Sequence, residues 1–88
     1  MTKAELCVIF NPAAGKHRAA KRLDKLRQGW GAHVVFQPTN HSGHAIELAQ
    51  QAAQAGYAIV AAAGGDGTVH EVANGLLLAQ RPQVRFGI

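Results

Sequence analysis

Cysteine, tryptophan and tyrosine each occur once in these 88 residues, and proline three times. A single cysteine leaves no partner for a disulfide within the chain and no set of thiolates for a metal. Cys7 lies inside an apolar run and reads as a small buried hydrophobe. Long apolar runs are missing too: none approaches the roughly 20 residues of a membrane-spanning helix, and the first residues lack the charged-then-apolar order of a signal peptide. A cytoplasmic location is the expectation. Charged residues make up 16% and hydrophobic residues 48%, the balance of a globular domain and not of a disordered one. This length allows one domain with a modest core. There is no internal repeat and no low-complexity linker.

The charge that is present is unevenly placed. Six of the nine Lys and Arg residues (Lys16, Arg18, Lys21, Arg22, Lys25 and Arg27) crowd one stretch of a chain whose net charge is +4. Between them Ala19, Leu23, Leu26 and Trp30 recur at helical spacing, which predicts an amphipathic helix from about His17 to Gln28, stopped at Gly29. The basic face of that helix is a candidate for peripheral contact with an anionic membrane, against the plainer reading of a solvated surface. No nucleic-acid partner is expected.

Residues 5 to 10 (ELCVIF) form a nearly continuous apolar run that suits a strand buried on both faces. Residues 33 to 37 predict a second strand ended by Pro38, and Ala45, Leu48, Ala49 and Ala52 mark the inner face of a second helix stopped by Gly56. A third strand follows over 57 to 63. Val69, Val72, Ala73, Leu76 and Leu77 trace a third helix ending before Pro82, and residues 84 to 88 begin a fourth strand.

This β-α-β-α-β-α-β alternation predicts an α/β fold: a three-layer, Rossmann-like open parallel sheet with right-handed crossovers. A strand order of 3-2-1-4 is expected, with the first two helices on one face and the third on the other. One face is then only partly covered, leaving apolar sheet exposed that the rest of a parent protein or a second copy would fill.

In such a sheet the strand-to-helix loops all emerge at the carboxyl edge. The third of them, Gly64, Gly65, Asp66, Gly67 and Thr68, joins the most apolar strand to a helix. Its glycines let backbone N–H groups approach a phosphate, and the helix start adds free donors and a positive dipole end. Asp66 beside phosphate implies an intervening cation such as Mg²⁺. A second reading stays open: Thr68 and Glu71 have the spacing of a capping box, with the glycines forming a tight turn.

The first loop, Asn11, Pro12, Ala13, Ala14, Gly15 and Lys16, is not a Walker A loop, because Phe10 and His17 stand where that pattern needs Gly and Ser or Thr. Nor does any strand lead into a GxGxxG fingerprint. The second loop, residues 38 to 44, offers Thr39, Asn40, His41, Ser42 and His44, each as readily a helix cap as a ligand group. His41 and His44 have no further ligand at metal spacing.

Together, NPAAG (Asn11 to Gly15), Thr39 with GHA (Gly43 to Ala45) and GGDGTVHEVANGL (Gly64 to Leu76) resemble the catalytic domain of the diacylglycerol kinase family, which includes sphingosine kinases and bacterial lipid kinases. The resemblance covers Leu6 to Leu77. It implies ATP along this edge, touched by Asn11, Pro12, Ala13, Ala14 and Gly15, by Thr39, and by Gly64, Gly65, Asp66, Gly67, Thr68, Val69, His70 and Glu71, with Asp66 near phosphates and Mg²⁺. Ala14 replaces a frequent Ser and His70 a frequent Asn.

Family members continue into a β-rich second domain that supplies the catalytic base and much of the lipid pocket, so residues 1 to 88 are expected to be a partial, ATP-binding portion, inactive alone, of a lipid kinase in phospholipid metabolism. An NAD kinase, which shares the GGDG loop, is one alternative. A non-catalytic module for nucleotide or partner binding is another.

Overall fold

A computed structural model describes residues 6–12, 25, 28–29, 34–81 and 83–87. Within them run β1 (Leu6–Phe10), β2 (Val34–Pro38), α1 (His44–Ala55), β3 (Ile59–Ala63), α2 (Asp66–Ala79) and β4 (Arg85–Gly87). Of the basic stretch, Lys25 is exposed and helical, as are Gln28 and Gly29, so the helix includes the glycine expected to stop it. The rest of that stretch lies outside the described residues.

The four strands form one parallel sheet in the order β2-β1-β3-β4. This corrects the expected order 3-2-1-4. The reason lies in the burial of β3: both orders give β1 two neighbours, but Val60 and Ala62 of β3 are at most 3% exposed while β2 is only half-buried, so β3 takes the inner place beside β1 and β2 the edge. Val8 accordingly lies between Phe36 of β2 and Ala61 of β3. The half-buried β2 and the short, largely exposed β4 form the edges.

Strand order also fixes the helices. The steps from β2 to β3 and from β3 to β4 run in the same direction across the sheet, so right-handed crossovers place α1 and α2 on one face, packed together. The expectation of opposite faces for these two helices is therefore wrong. Cys7, Ile9, Val60 and Ala62 point to that face and meet Ala45, Ala49, Ala52 and Val72.

On the opposite face Leu6 and Val8 are buried, and Phe10 meets Phe36 edge to face with ring centroids 6.5 Å apart. The central strand is thus bare on neither side, while Phe10, Phe36, Ile59 and Ala61 around it on this face are half-buried. Among the described residues, the large apolar side chains that do meet solvent lie elsewhere: Leu77 at 76% and Leu78 at 60% on α2, and Phe86 on β4. Leu77 was expected inside. Leu76, Leu77 and Leu78 are all apolar, so local periodicity could not single out the row Val72, Gly75 and Ala79 that packs inward.

α1 buries alanines at 45, 49, 52 and 53, a stripe of small side chains that allows a close approach to the sheet and to α2. It ends as expected at Gly56, whose φ of 100° suits glycine and whose N–H reaches the carbonyls of Ala52 and Ala53. No helix among the described residues is long and apolar enough to cross a membrane.

Cys7 is buried, and burial pushes its thiol up from 9.0 to about 11. Burial, and then the charge of Cys7, also raise Tyr57. The folded chain keeps the thiol proton where the unfolded chain releases it, so stability should fall as pH climbs from 9.0 towards about 11. Melting curves across that range, compared with those of Cys7→Ala, check this: the variant should lose less. Iodoacetamide at neutral pH should leave Cys7 unmodified until the chain unfolds.

Candidate functional site

The strand ends are stitched at their carboxyl edge. The N–H of Asn11 donates to the carbonyl of Ala63 at 3.2 Å, and the N–H of Thr39 donates to the carbonyl of Phe10 at 2.9 Å. These bonds carry the parallel ladder one residue past the strands, so the three edge loops start side by side. Above them lies a cleft of about 390 Å³. Asn11 and Pro12 line it from the first loop, Thr39, Asn40, His41 and Ser42 from the second, and Gly67, Thr68 and Glu71 from α2.

α2 begins earlier than the sequence suggested. Gly65, extended at φ −80° and ψ −178°, is its N-cap residue, and Asp66 opens the first turn. The first backbone donor within the helix is Val69, to Gly65. The N–H groups of Asp66, Gly67 and Thr68 therefore have no carbonyl of their own helix to meet. A carboxylate in the first turn also suits the dipole of a 14-residue helix.

The three glycines of the loop differ in what they do. A Cβ on Gly64 would stand 2.9 Å from Oγ1 of Thr68, so glycine is needed there for the strand end to lie against the helix. A Cβ on Gly65 or Gly67 would meet nothing within 4 Å. Their backbone is open to an incoming group. Asp66 and His70 are exposed, Thr68 is 8% exposed, and Val69 is half-buried and packs against the core. Ala13, Ala14 and Gly15 lie outside the described residues.

The capping-box reading does not hold. Thr68 is the third residue of α2 and not its N-cap, and Glu71 turns away to accept a hydrogen bond from the N–H of Gly43 at 3.2 Å. The early helix start, set by the extended Gly65, is what displaces Thr68 from the capping place.

The second loop contributes more than Thr39. Asn40, His41 and Ser42 border the cleft, and none caps α1, whose N-cap is Gly43 with no side-chain cap bond. Their position directly after Thr39 on the same edge was the available signal. The N–H of Asn40 donates to Nδ1 of His44 at 2.9 Å, which places the neutral ring's proton on Nε2. Nδ1 of His41 lies 2.9 Å from the carbonyl of Ser42, an acceptor, so there the proton sits on Nδ1. The two rings stack at 4.7 Å. One offers a lone pair at Nε2 and the other an N–H, which is not a pair of metal ligands.

The donor set suits a polyphosphate: three first-turn N–H groups, two open glycines and the polar second loop opposite. Among the described residues no three His, Cys, Asp or Glu side chains gather as a metal cluster. A divalent ion at Asp66 would share its coordination with phosphate oxygens, as such ions commonly do.

The family model described as the diacylglycerol kinase catalytic domain matches residues 5–88. The chain belongs to this family. Diacylglycerol kinase of Bacillus subtilis is 37% identical over 79 residues, covering 85% of this chain and 26% of that protein. Sphingoid long chain base kinase 5 of Saccharomyces cerevisiae is 41% identical over 81 residues, covering 85% of this chain and 11% of that protein. The crystal structure of a diacylglycerol kinase from Bacillus anthracis strain Sterne superposes with a TM-score of 0.69 at 26% identity, over 85% of this chain and 28% of that one. The chain thus spans about a quarter or less of the length of these two kinases. Membership in the diacylglycerol kinase family decides between the two kinase families that the GGDG loop left open.

Proposed function

We propose that this chain is the ATP-binding part of a lipid kinase that moves the ATP γ-phosphate to a lipid hydroxyl. The observation that carries the reading is the meeting of three edge loops over free first-turn donors of α2. In this reading the N–H groups of Asp66, Gly67 and Thr68 hold phosphate oxygens, and the open Cβ positions of Gly65 and Gly67 let the phosphates approach the backbone. Asp66 holds Mg²⁺ against those phosphates. The ion, when bound, supplies neutralisation of the charge that builds on the transferring group. Asn11, Pro12 and Thr39 border the nucleotide from the other side of the cleft. Val69 is left out of the contact set, since its side chain serves the core.

Calorimetric titration of the purified chain with ATP, with and without Mg²⁺, tests this. Binding that tightens when Mg²⁺ is added is expected. Absence of binding under both conditions would refute the reading. Because the chain spans so little of its relatives' length, we expect it to bind ATP without turning it over. Phosphorylated diacylglycerol formed by the chain alone would contradict that.

A further inference from the structure

Glu71 lines the cleft, yet its observed bond leads elsewhere. Oε2 accepts from the N–H of Gly43, the N-cap residue of α1, far away in sequence. In a capping box that donor is taken by a Glu or Gln at the third position of the same helix. In α1 that position is Ile46, which has no acceptor to offer. Glu71 of the neighbouring helix stands in for it, and its negative charge lies at the positive end of α1.

The consequence falls on the second loop. Its shape is kept from within, by the Asn40 to His44 bond, the stacked His41 and His44 rings, and the bond from the N–H of His44 to the carbonyl of His41. Its root is kept by Thr39 on Phe10. Glu71 ties the far end of the loop to α2, the helix that carries Asp66, Gly67 and Thr68.

We infer that Glu71 is a positioning residue: it latches the Thr39–Gly43 loop to α2 and so fixes the width of the cleft, without itself ligating phosphate or metal. The role in nucleotide binding rests on the function proposed above, whereas the latch can be read without nucleotide. Glu71→Gln keeps the size of the side chain and a weaker, neutral acceptor. Glu71→Ala removes the acceptor.

The test uses amide NMR and ATP titration of the whole chain. Without ligand, the Gly43 amide proton should move upfield in both variants, further in Glu71→Ala, where its exchange with solvent should quicken about tenfold, the scale of one charge-assisted hydrogen bond. Affinity for ATP should fall about three- to tenfold in Glu71→Ala, with Glu71→Gln in between. In both variants Mg²⁺ should still tighten binding by the wild-type factor. An unmoved Gly43 resonance would overturn the latch. Loss of the Mg²⁺ response in Glu71→Gln would overturn it differently, by making Glu71 a ligand. If Glu71→Ala does not fold, the Gly43 resonance in Glu71→Gln decides alone. If the wild-type chain binds no ATP, the functional reading fails while the Gly43 resonance still decides the latch.

Discussion

Replacing Gly75 by alanine should remove a large share of the chain's stability. A Cβ at this position would run into the carbonyl oxygen of Ile46 and come within 2.8 Å of Ala49 Cβ and 3.1 Å of the Ile46 carbonyl carbon. Two of these obstacles are backbone atoms of α1 and the third is a short methyl, so no side chain can swing aside. The helices must separate instead. Alanine gains about 0.5–1 kcal/mol over glycine inside a helix. Overpacking a tight contact costs about 1–3 kcal/mol, and more where backbone has to move.

The second effect wins, and a net loss of about 2 kcal/mol is expected. In a domain of this size each kcal/mol lowers the melting temperature by about 4–8 °C, so the midpoint should drop by about 8–16 °C. Gly67→Ala, placed where a Cβ meets nothing within 4 Å, is the control and should show no comparable drop. An unchanged or raised midpoint for Gly75→Ala would mean that α1 and α2 do not approach as described.

Asp66→Asn should remove most of the magnesium effect on nucleotide binding. In the function proposed above, the wild-type carboxylate would repel bare triphosphate and attract a metal held between the two. Neutralising it removes both forces. ATP alone should then bind several-fold tighter than to wild type, since a unit charge at a solvent-exposed site a few ångströms away is worth about 1 kcal/mol. ATP with Mg²⁺ should bind about tenfold weaker or worse, because the metal loses its protein ligand. The calorimetric comparison needs four titrations, and equal losses with and without Mg²⁺ would remove Asp66 from the metal. Folding should be little affected, because Asp66 is exposed and its interaction with the α2 dipole is worth only about 0.3–1 kcal/mol.

The sequence was most legible where the physics is local. The apolar run at Leu6–Phe10, the glycine with positive φ after α1 and the GGDGT segment at an edge all stand where residue-level reasoning placed them. Strand order was not local: it depended on which of several apolar strands most needed two neighbours, and exposure decided that for β3 over β2. Helix faces then followed from strand order, so one misjudged arrangement carried the other with it.

Within the candidate site, Asn11, Pro12, Thr39, Gly67, Thr68 and Glu71 do meet at one cleft. The partner of Glu71 was out of reach, because the bond to Gly43 joins two helices whose packing only the tertiary fold creates. The exposure of Leu77 was hidden for a related reason, in a helix whose apolar residues continue around its C-terminal turns.

The central place of β1 also has a temporal side. It leaves the ribosome before both of its neighbours, for its registers pair it with Val34–Pro38 on one edge and Ile59–Ala63 on the other. While the chain is being made, this buried segment therefore waits through the synthesis of β2 and α1 before its second edge is covered. Such non-local parallel pairing is slow to form and leaves unpaired edges open to aggregation in the meantime. The strand that anchors the finished domain is thus the one most dependent on protection during translation.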